Sequence, residues 1–253
     1  MRKILGIARY TFIEILRNRV WYVLILFSGI LILSAILLGT LAGELRVRMI
    51  TDMGLASIET IALFSTVFAA VTLVLEEMES RTLYLILTRP VARAAFVFGR
   101  FLGLVAIMTC AYGVMACELA GLLAAIHATF DKPFALSILY SWEKIVVITA
   151  VAFVFSLFST SVASAATFTF FFWVMGHLST EIRFLAEKSS QPLIIAFCRL
   201  FYYLFPNFQL MNVRDVPVEM YRPAWLWSAA GYGLSYTGAC LFLTAVLFRR
   251  KEF

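Results

Sequence analysis

Uncharged apolar runs alternate with short charged stretches along the whole chain. Val20–Ala42 carries no charge, and Ala224–Phe248 carries none. Gly54–Leu75 holds a single acid, Glu59, and Phe101–Ile126 a single acid, Glu118. About 20 apolar residues in a helix cross the hydrocarbon core of a bilayer, so each of these runs is long enough to span. Ile145–Thr180 contains no Asp, Glu, Lys or Arg, and it is too long for one ordinary span. It predicts two spans, 145–161 and 163–180, joined by a tight turn in the cluster Ser156, Ser159, Thr160, Ser161 and Ser164. The pattern predicts an all-α polytopic membrane protein with six transmembrane helices, at 20–42, 54–75, 101–126, 145–161, 163–180 and 224–248, forming a single domain over 1–253.

The polar segments carry their own structure. Residues 2–19 form an amphipathic lead. On a helical wheel Ile4, Leu5, Ala8, Phe12, Ile15 and Leu16 fall on one face, opposite Arg2, Lys3, Arg9, Glu14 and Arg17. Such a helix either lies in the membrane interface or extends the first span into solvent. Gly39-x-x-x-Gly43 near the end of the first run has a spacing that lets two helices approach closely. The patch Leu193–Phe205 is too short to span and contains Arg199, so it reads as an interfacial or re-entrant helix ended by Pro206-Asn207.

Composition agrees with a lipid solvent. Of 253 residues, 62% are hydrophobic and only 14% charged, against about 25% charged in a typical soluble domain. The net charge of +6 reads as asymmetry across a membrane rather than as a nucleic-acid surface. With six spans and both termini in the cytoplasm, 12 of the 21 basic residues face the cytoplasm against five acids, as the positive-inside rule requires. A single crossing by Ile145–Thr180 would put the Arg249-Arg250-Lys251 end on the wrong side. The four cysteines, Cys110, Cys117, Cys198 and Cys240, show no C-x-x-C and no histidine at metal spacing.

Signatures of catalysis do not appear. No G-x-x-x-x-G-K-[ST] is present to grip nucleotide phosphates, and no G-x-S-x-G. With His127 and His177 as the only histidines, no H-E-x-x-H site can form, so neither a catalytic residue nor a metal or other cofactor is expected. Glu118 is an ionisable residue inside a span. It either lines a substrate path or hydrogen-bonds a neighbouring helix.

The most charged segment is Glu76–Arg100. Three acids, Glu76, Glu77 and Glu79, are followed by a short apolar run, Leu83–Leu87, and then by Arg89-Pro90, Arg93 and Arg100. Leucines can seat on the membrane surface while the charges anchor at headgroups. The result is a cytoplasmic knuckle that a soluble motor can grip, or a loop whose charges merely set topology. The segment resembles the first cytoplasmic loop of type-2 ABC exporter permeases. In that pattern an acidic patch precedes Thr-Leu-x-x-Leu-Leu-x-x-Pro-Val-x-Arg and a Gly-Lys/Arg-Phe entry to the next span. The matching positions are Glu77, Glu79, Thr82, Leu83, Ile86, Leu87, Pro90, Val91, Arg93, Gly99, Arg100 and Phe101. Ala8–Phe12 and Arg17–Arg19 resemble the family's amphipathic lead. Phe205–Phe208 and Arg214-Asp215 resemble a Pro-Asn element before the last span in members like the nitrous-oxide-reductase maturation permease. Arg81 stands where many members carry Gly.

The resemblance implies a permease subunit of an ATP-binding-cassette exporter in a prokaryotic plasma membrane. A separate cytoplasmic ATPase would bind and hydrolyse ATP, two permease chains would pair as a homodimer, and lipid would surround them. Glu76, Glu77, Glu79, Arg81, Thr82, Leu83, Leu87, Arg89, Pro90 and Arg93 would form the ATPase-coupling helix. A membrane scaffold that moves nothing is the alternative from another class, and a neighbouring reading frame encoding a P-loop ATPase would separate the two.

Overall fold

In the computed structural model, residues 2–17, 20–41, 45–79, 93–126, 132–214 and 222–250 are described. The helices are α1 (Arg2–Leu16), α2 (Val20–Leu41), α3 (Arg46–Glu79), α4 (Arg93–Ala125), α5 (Lys132–Phe158), α6 (Val162–His177), α7 (Ser179–Lys188), α8 (Pro192–Leu204) and α9 (Pro223–Arg250), with a 3₁₀ turn at Phe208–Met211 between α8 and α9. Among the described residues there is no β-strand, so the chain is all-α.

Among the described residues, four helices are long and apolar enough to cross a membrane: Arg46–Met78, Ala94–Ala125, Lys132–Phe158 and Pro223–Arg249. A fifth is possible if α6 and α7, bent by 58° at Leu178, count as one span. The expected run 20–42 is helical as α2, with Leu24–Leu37 as its shorter apolar stretch. Gly39 meets Ile50 of α3, while Gly43 lies outside the described residues.

The expected spans 145–161 and 163–180 are displaced. The first begins at Lys132, so Glu143 and Lys144 lie inside the helix and are buried. Lys144 is tolerated there because Glu59 of α3 faces it, while Glu143 lies against Gly233 of α9. The break falls at Ser159–Ser161, where Ser161 caps α6 by accepting from the Ser164 amide at 3.2 Å. A serine cap satisfies one of the donors that a helix start leaves unpaired. The second helix ends at His177 rather than Thr180.

α5 is the centre of the bundle and packs on α3, α4, α6 and α9. Its Ile148 and Phe153, with Ile58 of α3 and Leu104, Ile107 and Leu119 of α4, are among the most deeply buried side chains. One turn of α5 sends a polar side chain to three of these neighbours. The Tyr140 hydroxyl donates to the Leu226 carbonyl of α9 at 2.8 Å, Ser141 donates to Glu59 of α3 at 3.0 Å, and the Trp142 indole donates to Thr109 of α4 at 3.1 Å. Successive helical residues point about 100° apart, so consecutive positions reach different helices.

α1 runs parallel to α4 and is docked along it. The expected apolar face is divided, with Phe12 and Ile15 packed against the core. Thr11 is fully buried, while Leu5 and Leu16 are 68% and 52% exposed. The reason lies on α4. A Cβ at Gly99 would come within 2.7 Å of Ile7, and one at Gly103 within 2.5 Å of the Ala8 carbonyl. Glycines four apart form a smooth groove, and α1 presents to it whichever side fits closest.

Candidate functional site

Two polar junctions tie the helices together. The first sits where α1, α3 and α4 meet, at the end of the bundle that leads into residues 80–92. The guanidinium of Arg100 donates to Glu14 of α1 at 2.5 Å, to Thr11 at 3.1 Å, and to Glu77 of α3. It also lies over the rings of Tyr10 and Phe96, 5.4 and 5.6 Å from their centroids. The Arg100 side chain is only 9% exposed and that of Glu77 12%. A guanidinium is suited to this position, because its planar fork serves several acceptors and stacks on aromatic faces.

The Gly99-Arg100-Phe101 run therefore has a physical meaning that spacing did not reveal. Gly99 admits α1, Arg100 bonds it to α3, and Phe101 packs edge-on against Phe153 of α5 at 5.6 Å. Of the expected coupling residues, Glu76 is exposed on α3 and Glu77 belongs to this junction. Glu79 ends α3 and Arg93 begins α4. Arg81, Thr82, Leu83, Leu87, Arg89 and Pro90 lie outside the described residues.

The second junction lies toward the other end of the bundle. Glu59 is eighteen residues before Glu77 on α3, about 27 Å at the rise of an α-helix. Its carboxylate accepts from Lys144 of α5 at 3.0 Å, from Arg214 at 3.0 Å and from Ser141 at 3.0 Å. His177 at the end of α6 is 4.0 Å away. Lys144 is 4% exposed, and the Arg214 side chain 20%. Sequence reading placed Glu59 near a span start and Lys144 outside a span. Nothing in the local sequence links them, since the partners are 85 and 155 positions apart.

Arg214 reaches this junction at the end of the stretch 205–214, which holds the 3₁₀ turn and is lodged between helices. Phe208 is fully buried against Trp173 and His177, with ring centroids 4.9 and 5.3 Å away. Its ring lies where any side chain at Gly176 would have to go. The Asn207 amide donates to the Tyr232 hydroxyl at 2.9 Å, Ser179 donates to the Asn207 side chain at 2.7 Å, and Gln209 donates to the His177 carbonyl at 2.8 Å. These bonds fasten the stretch to α6, α7 and α9.

Glu118 accepts from Ser28 of α2 at 3.0 Å, so it links α4 to α2. Both partners were visible in the sequence, but not their pairing.

Residues 47–253 match the model of the ABC-2 family transporter proteins, and the chain belongs to that family. It is a multi-pass membrane protein, the membrane component of an ABC transporter. No curated protein matches the chain. The match begins in α3, so α1 and the Glu14 limb of the Arg100 junction lie ahead of it.

Proposed function

We propose that this chain is the force-receiving permease of an ABC exporter, paired with a second copy of itself and driven by a separate cytoplasmic ATPase. The chain acts as one permease domain over 1–253, crossing six times with both termini in the cytoplasm. The crossings are α2, α3, α4, α5, the bent α6–α7 pair and α9. Glu76, Glu77, Glu79, Arg81, Thr82, Leu83, Leu87, Arg89, Pro90 and Arg93 form the coupling segment on which the ATPase pushes, and Glu118 lies beside the path of the cargo.

The observation that carries this reading is the Arg100 junction. The segment 80–92 joins α3 to α4, and Arg100 bonds the last turns of α3 to α4 and α1 just above it. A displacement of the coupling segment then moves three helices together rather than bending one loop. Family membership supports the same division of labour, since a chain without a P-loop must borrow its energy from a nucleotide-binding partner.

The test is to purify the chain with its ATPase and replace Glu79 and Arg93 by Ala. Binding should weaken, and stimulation of ATP hydrolysis by the permease should fall at least several-fold. Unchanged binding and stimulation would show that the ATPase engages elsewhere.

A further inference from the structure

α7 and α8 each present a polar trio at helical spacing. Arg183, Ala186 and Glu187 stand three and four positions apart on α7, and so do Arg199, Tyr202 and Tyr203 on α8. That spacing puts each trio on one face of its helix. α8 packs along α7, and the two faces enclose a pocket of about 550 Å³ lined by all six residues and by buried Cys198. Ala186 is the small member between the two charged residues of α7, so the space beside it stays open.

The charges of this pocket do not balance. Glu187 accepts from Arg183 Nε at 2.9 Å and holds that guanidinium by its inner edge. The Tyr202 hydroxyl lies beside the same guanidinium. Among the described residues no carboxylate pairs with Arg199. Two guanidiniums against one carboxylate leave one positive charge over. The Tyr202 and Tyr203 rings meet edge-on at 5.5 Å, and their hydroxyls can donate as well as accept. The side chains of Arg183 and Glu187 are 65% and 63% exposed, so a ligand can enter from outside. Arginine forks match the oxygens of a phosphate, which accepts two parallel hydrogen bonds from one guanidinium.

The reverse side of the helix pair is apolar. Ile182, Leu185, Leu193, Phe197, Leu200 and Phe201 line a trough that holds no charged residue. A helix pair with one apolar and one charged side seats its apolar side in hydrocarbon. One helix diameter, about 10 Å, separates that side from the pocket, and the headgroup layer on each side of a bilayer is about 5–8 Å deep. The pocket then stands at the outer edge of the headgroups, within reach both of their phosphates and of solutes. The pair follows α6 at a bend of 58°. The last residue of α6, His177, is 4.0 Å from Glu59, so the pocket belongs to the end of the bundle away from residues 80–92.

We propose that this pocket binds a phosphate group, carried by a lipid headgroup or by a soluble phosphate ester, between Arg183 and Arg199. The test uses the full chain in two arms. In nanodiscs of mixed composition, retention of phosphatidylglycerol is compared with that of uncharged diacylglycerol by native mass spectrometry after release. In detergent, glycerol 3-phosphate is titrated calorimetrically, with glycerol as its control. Preferential retention of the phospholipid identifies the headgroup as the source, and heat from glycerol 3-phosphate alone identifies a soluble ester; either result supports the site. In the arm that binds, Arg199→Gln should weaken binding about tenfold. Ala186→Leu, which fills the space without changing a charge, should do the same from the other helix, so a misfolded variant leaves the second one to decide. Arg48→Gln, an arginine on α3 whose side chain is 79% exposed, should change nothing. No binding in either arm, indifference to both pocket variants, or an equal loss in Arg48→Gln overturns the site. Binding is read without the ATPase, so failure of the coupling test leaves this result unaffected, and the converse holds.

Discussion

Replacing Arg100 by Ala removes one guanidinium from two carboxylates and a hydroxyl. Glu77 is the partner that suffers, because its side chain is 12% exposed, whereas that of Glu14 is 43% exposed and can turn to water. Breaking a buried ion pair by removing one member costs about 3–5 kcal/mol. The half-exposed Glu14 limb adds at most about 1 kcal/mol, since solvent screens it. A second limit applies to the larger figure. A stranded glutamate can take up a proton, and from an unperturbed value near 4.3 that costs about 3.7 kcal/mol at pH 7 and about 1 kcal/mol at pH 5. The destabilisation by Arg100→Ala is therefore about 3–4 kcal/mol at pH 7 and shrinks by more than half at pH 5. It should be read as loss of hydrogen-exchange protection in α1 and the end of α3, and as a lower midpoint of thermal unfolding. Adding Glu77→Gln to Arg100→Ala should recover most of the loss at pH 7, because the uncompensated charge is gone. If Arg100→Ala costs less than about 0.5 kcal/mol, or the double variant is as unstable as the single one at both pH values, Glu77 is hydrated and the clamp is not a buried pair.

Three further outcomes follow from named contacts. Glu59→Ala strands Lys144, which is 4% exposed, and should destabilise the chain by about 3–5 kcal/mol in denaturant titration; a loss under 1 kcal/mol would mean that water already reaches Lys144. Gly103→Leu should push α1 off α4, because even a Cβ there comes within 2.5 Å of the Ala8 carbonyl. Overpacking of this kind costs about 1–3 kcal/mol, and hydrogen-exchange protection of α1 should fall in the Gly103→Leu chain; unchanged protection would mean that α1 is not seated on Gly103. Single cysteines at Arg89 and Lys132 should be labelled by an impermeant reagent from opposite sides of the membrane; labelling from one side would refute the proposed crossing order.

Much of the helical architecture was legible because its cause is local. Apolar runs without charge become helices in a low-dielectric solvent, since only a helix satisfies its own backbone there. The serine-rich stretch around Ser159–Ser161 broke Ile145–Thr180 where expected, since a serine caps the helix that follows. The bounds were less legible. Glu143 and Lys144 looked like a boundary, because charges in sequence are read as solvated. Both are buried instead, and Glu59 compensates Lys144 from another helix. That α1 docks on α4 was also out of reach, as the helical wheel ranks hydrophobicity while Gly99 and Gly103 select by close fit.

The candidate sites divide along the same line. The sequence by itself determined that the chain is helical and membrane-embedded and that a charged stretch of sequence separates the second and third apolar runs, since hydropathy and charge are properties of single positions. Only the tertiary structure decided that Arg100 holds Glu14 and Glu77, that Glu59 holds Lys144 and Arg214, and that Glu118 meets Ser28 of α2. Those outcomes depend on which residues meet across 23 to 155 positions of chain. In an interior that cannot solvate a lone charge, it is the meeting, and not the residue, that determines what each charge does.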